Sequence, residues 1–158
     1  MEDSVADSLK VVSTWATLVD GFNTSALDFY NRVEQGVTKR QLPNVKFLRK
    51  KLSEGGVFSA NREYLLVRSK NLTFAVCSSP YGTGHFFSWW LLEEEPFLES
   101  IPVIGFFYRL LFSRVTYYVA DTTAMFKLSI QQSVREAIDE VTSAQGRRLL
   151  PDELTPAA

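Results

Sequence analysis

Cys77 and His85 are the chain's only cysteine and only histidine. They flank the stretch Ser78-Ser79-Pro80-Tyr81-Gly82-Thr83-Gly84, with an apolar run on either side. If the two runs pair as strands in simple register, Cys77 and His85 fall opposite one another. Directly opposed residues of an antiparallel pair have Cβ atoms about 5 Å apart. A thiol beside an imidazole is the minimum of an activated nucleophile, and the chemistry would be that of a thiol-dependent hydrolase or transferase. Two facts weigh against it. No carboxylate nearby in the sequence is placed to orient the imidazole, and a free cysteine is among the most buried residue types. A packed thiol and a histidine bonded to a backbone carbonyl are the competing description, and the chain is expected to be non-catalytic.

The other motifs that suggest chemistry are weaker. Gly82-Thr83-Gly84 has the composition of a phosphate cradle, but such a cradle needs consecutive N–H groups at a helix start. Here a strand pattern follows and no lysine closes the loop, so the glycines are expected to serve a tight turn. Glu93-Glu94-Glu95 puts Glu93 and Glu95 on one strand face and Glu94 on the other. A hard cation normally takes more oxygen ligands than two carboxylates supply, and Pro96 follows at once. Neither a metal nor a cofactor is expected. One cysteine excludes an intrachain disulfide, and the acidic start Met1-Glu2-Asp3-Ser4 lacks the basic and apolar parts of a signal peptide. Both point to a reducing, cytoplasmic setting.

A formal net charge of −1 conceals an uneven distribution. Residues 39–70 hold nine basic residues against two acids, Glu54 and Glu63, while the flanking segments are acidic. Lys and Arg contacts to phosphates supply most non-specific nucleic-acid affinity. Lys46, Arg49, Lys50 and Lys51 are therefore candidate nucleic-acid contacts, with Phe47 and Tyr64 as stacking faces. The same residues would equally protect an edge strand from pairing with other chains.

The largest surplus is aromatic. More than half of the chain's aromatic residues lie between Tyr81 and Tyr118. In the segment 97–118, Phe97, Phe106, Phe107, Tyr108, Leu111 and Phe112 are among more apolar residues than one helical stripe can hold. A helix apolar all round is buried on every side; the alternative is a contact surface, since aromatics and arginine dominate interface hot spots. Arg109 and Arg114 accompany the run. The strand His85–Leu92 is apolar on both faces, with Trp89 on one and Trp90 on the other, so each face needs a cover. Trp89, Trp90, Phe97, Phe106, Phe107, Tyr108, Leu111 and Phe112 are thus candidate contacts to a protein partner or a second copy. A transmembrane helix needs about 20 apolar residues, and Glu99, Arg109 and Arg114 interrupt this one. A peripheral membrane helix wants a basic polar face, for which two arginines are thin support.

The elements that must position these residues follow from periodicity. Val5, Leu9, Val12, Ala16 and Val19 recur at helical spacing. A second helix is expected from Thr24 or Ser25, with Ala26, Phe29, Tyr30, Val33 and Val37 as its stripe and Pro43 as its stop. Val45–Arg49 reads as an edge strand, followed by strands over Glu63–Arg68, Leu72–Cys77 and His85–Leu92, with a hairpin turn at Lys70-Asn71. Tyr117-Tyr118-Val119 reads as a short extended piece. Asp121 then caps a long last helix, whose seam is Phe126, Ile130, Val134, Ala137, Ile138 and Val141 and whose stop is Gly146. The expected fold is α+β: a three- to four-stranded antiparallel sheet, two N-terminal helices and a long C-terminal helix, in one domain over residues 1–150 with a short tail at 151–158. The expected function is that of a non-catalytic interaction or accessory protein, self-associating or docking on a protein partner through residues 97–118.

Overall fold

A computed structural model describes residues 9–52, 62–94 and 117–149. The chain runs β1 (Leu9–Asp20), α1 (Ala26–Lys39), β2 (Lys46–Leu52), β3 (Arg62–Ser69), β4 (Leu72–Tyr81), β5 (Gly84–Glu94) and α2 (Tyr117–Ser143). The five strands form one sheet in the order β1-β5-β4-β3-β2, and every neighbouring pair is antiparallel. The fold is α+β, as expected.

The sheet has five strands rather than three or four, because the first element is a strand and not a helix. Leu9, Val12, Ala16 and Val19 do recur at helical spacing, but Ser13, Trp15, Thr17 and Val19 also alternate along one side of a strand. Val11, Val12, Thr14, Thr17 and Val19 are β-branched residues, which favour the pleat. The deciding influence is distant: β1 lies along the whole of β5, from Leu9 opposite Glu94 to Asp20 opposite Gly84. Without that partner, β5 would be a long apolar edge, a template for unwanted pairing.

Among the described residues one helix, not two, then lies near the N-terminus. Ser25 caps it by accepting the N–H of Asp28, one of the donors that a helix start leaves unbonded. Phe29, Tyr30, Val33 and Val37 make its buried stripe, and the chain turns away at Gln41, where φ is 52°, two residues ahead of Pro43. The last helix buries all of its expected seam, Phe126, Ile130, Val134, Ala137, Ile138 and Val141. Tyr117, Tyr118 and Val119 are helical rather than extended, so Asp121 sits within the helix. At the far end Gly146 takes φ of 74° and the Arg147 N–H returns to the Thr142 carbonyl at 3.0 Å, closing the helix as a glycine stop does.

Both helices pack on one face of the sheet. The core there joins Phe74, Phe87, Trp89, Leu91, Leu65 and Val67 to the helix stripes. Phe29 meets Phe87 with ring centroids 4.9 Å apart, and Phe126 meets Phe74 at 5.8 Å. Arg32–Glu140 and Arg40–Glu136, each at 2.8 Å, tie the helices together along their outer edge. The other face carries Val11, Leu18, Leu48, Leu66, Phe86 and Trp90, and no described helix packs against it.

Candidate functional site

The hairpin between β4 and β5 decides what Cys77 and His85 can do together. It is a two-residue turn at Gly82-Thr83, with Gly82 at φ of 59°. The expected loop over 78–84 is therefore mostly strand, and the register shifts with it. Cys77 lies opposite Ser88, and His85 lies opposite Pro80. Because strand side chains alternate between faces, Cys77 points to the outer face and His85 to the helix face. The expected opposition of thiol and imidazole is thus corrected by the length of the turn. Cys77 is fully buried at 0% exposure, and burial pushes its thiol pKa up, although Arg62 and the Tyr64 hydroxyl act the other way. A raised thiol pKa keeps the sulfur protonated and poorly nucleophilic.

His85 instead joins a buried polar cluster. Its Nε2 lies 2.8 Å from Ser78 Oγ, and its Nδ1 lies 3.1 Å from Asn23 Oδ1. The Thr24 N–H approaches the same Nδ1 at 3.5 Å. Two proton arrangements satisfy these contacts. Either Nδ1–H donates to Asn23 while Ser78 O–H donates to Nε2, or Nε2–H donates to Ser78 while Nδ1 accepts from Thr24. A serine, a histidine and a carbonyl oxygen in line have the connectivity of a nucleophile, its base and an orienting group. Ser78, however, is only 4% exposed, and the ring is enclosed by Phe22 and Phe87 at 5.9 and 4.9 Å. A nucleophile must be reached by its substrate, and this one is sealed. Desolvation holds the imidazole pKa below its ordinary value, so it is neutral where most histidines begin to charge.

A second buried chain runs beside the first. Tyr30 donates its hydroxyl to the Glu63 carbonyl at 2.6 Å and accepts the Ser78 N–H at 3.0 Å. Burial raises the Tyr30 phenol pKa strongly. Together the two chains pin the β1–α1 loop and helix α1 to the strand end that carries Ser78. Buried polar groups that are fully bonded specify one packing arrangement, and that is what this cluster does.

The basic candidates separate. Lys46 and Lys50 project to the outer face, in the rows of Arg68 and Tyr64. Arg49 and Lys51 project to the helix face. Arg49 is bound there, to Glu34 Oε1 at 3.0 Å and Asn31 Oδ1 at 2.7 Å, with its guanidinium carbon 5.6 Å from the Tyr30 ring centroid. The four residues do not form one patch, because consecutive strand positions face opposite ways.

The aromatic candidates also divide. Trp89 is buried under α2 and lies opposite Trp15, whereas Trp90 is 41% exposed on the other face. Phe97, Phe106, Phe107, Tyr108, Leu111 and Phe112 lie outside the described residues. The end of the run is described, and it is open. Tyr117 is 93% exposed and Tyr118 is 74% exposed. Val119, Met125 and Leu128 continue the exposed apolar surface along α2. Reading Tyr117-Tyr118-Val119 as extended hid this stripe; helical spacing of Tyr118 to Met125 and of Tyr117 to Leu128 would have shown it. Ser78, Asn23 and Trp15 were also not singled out. Only the strand register and the fold bring them to His85 and Trp89.

Among the described residues, no group of three or more potential metal-ligating side chains gathers. No described helix is long and apolar enough to cross a membrane. The chain matches no protein-family model, no curated protein and no solved structure.

Proposed function

We propose that this is a non-catalytic interaction protein that associates with a second copy of itself through the aromatic segment 97–118 and the start of α2. One observation carries the reading: the exposed apolar stripe of Tyr117, Tyr118, Met125 and Leu128. Contiguous apolar surface on a soluble domain marks a contact site, and aromatic residues are the usual anchors of such sites. The stripe continues the aromatic run without a break in sequence. Within it Asp121 is the sole charge before Lys127, so two such stripes can meet face to face. A two-fold contact between identical helices satisfies both stripes at once, which is why isologous dimers are common. Burial of Cys77 and enclosure of His85 and Ser78 support the non-catalytic half of the reading.

Light scattering on the purified chain across a range of micromolar concentrations tests it. The expected result is a mass above that of a single chain, reduced to one chain by Tyr118→Asp or Met125→Asp while circular dichroism is unchanged. A single-chain mass in the unaltered protein at every concentration removes self-association. It would leave a different protein as the occupant of the stripe, to be sought by cross-linking at Tyr118.

A further inference from the structure

Two helices packed side by side lie about 8–10 Å apart. The axes of β1 and β2 lie roughly 19 Å apart, from four spacings of about 4.8 Å. Two helices therefore roof five strands incompletely. Arg49 and Tyr30 fill the gap at β2, and the shortfall at the other end falls between α2 and β1. A cavity of about 360 Å³ opens there, lined by Trp15, Trp89, Leu128, Val134, Gln131, Gln132 and Arg135. Ligand pockets run from about 300 to 1,000 Å³ and combine an apolar lining with a few polar groups.

Its chemistry is asymmetric. Trp15 and Trp89 are directly opposed on β1 and β5, and the small exposed part of each indole lines the inner wall. Gln131 and Arg135 stand one turn apart on α2 and share its mouth. Arg32, Arg40, Arg49 and Arg68 are each paired with a carboxylate. Among the described residues, no carboxylate reaches Arg135. A guanidinium beside an apolar wall suits an oxyanion, which it can hold with two parallel N–H bonds.

The geometry points to a binding site for a small organic anion. Its apolar body lies against Leu128 and the exposed edges of Trp15 and Trp89, and its carboxylate or sulfonate is held by Arg135 and an amide N–H of Gln131. The site shares Leu128 with the far end of the exposed stripe, lies nearly three helical turns from Tyr118, and does not depend on self-association.

Two dyes of similar shape and different charge test it: anilinonaphthalene sulfonate and the uncharged N-phenylnaphthylamine. The sulfonate is expected to bind saturably, one per chain, and to quench tryptophan emission, because two of the three tryptophans line the cavity. Arg135→Gln is expected to weaken the sulfonate about tenfold, the scale of one lost hydrogen bond to a charged group. It should leave the uncharged dye unchanged. Gln131→Phe, which fills the mouth, should displace both dyes, and Tyr118→Asp should affect neither. The proposal is overturned if the sulfonate does not saturate, or if Arg135→Gln weakens both dyes alike or neither. Loss of dye binding in Tyr118→Asp would also overturn it, because the dye would then sit on the exposed stripe.

Discussion

His85 shows how a residue type that suggests catalysis is used for packing. Its imidazole bridges Ser78 on β4 and Asn23 in the β1–α1 loop, and burial lowers its pKa. In the unfolded chain a histidine titrates near 6.5. A folded value below that means stability is complete above the unfolded value. It falls as pH drops through about 6.5, because the unfolded state takes up a proton that the folded state resists. The loss sets in below about pH 7, as the unfolded histidine begins to take up its proton. It is measured as a lower urea midpoint, and His85→Phe should remove the slope in that window while lowering stability at pH 7. Cys77 makes a parallel case. With its sulfur buried and its pKa raised, iodoacetamide at neutral pH should label it only after denaturation. Rapid labelling of the folded chain would restore it as a candidate nucleophile. The two residue types were legible in the sequence. Their separation was not, because it depends on whether the hairpin turn takes two residues or seven.

At the scale of elements, what was legible was whatever is encoded locally. The α2 seam, the Ser25 cap, the α1 stripe and the glycine stop at Gly146 all rest on residues within a few turns of one another. Strand β1 rests on a partner far downstream, and no local spacing reveals that. Its residues satisfy two periods at once, and the five-stranded sheet decides between them. One close contact records the pairing. A Cβ on Gly84 would come within 2.8 Å of the Val19 carbonyl oxygen on β1, and backbone cannot step aside as a flexible side chain can. Gly84→Ala is therefore expected to cost about 1–3 kcal/mol, the usual range for forced overpacking. Urea denaturation measures it, and an unchanged midpoint would show that β1 does not lie against β5 as described. The apolar outer side of β5 and the basic stretch around β2 were legible as compositions. Their faces were not, since a strand places Arg49 and Lys50 on opposite sides of the sheet.

For the whole molecule, the distribution of exposed apolar surface matters more than net charge. The helix face is roofed by two helices whose stripes are buried, save for the cavity between α2 and β1. Beyond that roof the start of α2 stays bare, with Tyr117, Tyr118 and Met125 in contact with water. On the self-association proposed above, that surface is covered only when two chains meet, so association and folding share free energy. Anything that binds the folded state and not the unfolded one raises apparent stability by mass action. The urea midpoint of the unaltered chain is therefore expected to rise with protein concentration, and Tyr118→Asp should make it independent of concentration. In dilute solution the two proteins should converge, because Tyr118 makes no described contact within its own chain that aspartate would break. A lower midpoint for Tyr118→Asp at every concentration would assign Tyr118 to the stability of the single chain instead. Scattering and denaturation thus examine one claim by independent routes: mass reports whether two chains meet, and the midpoint reports whether the meeting covers the stripe.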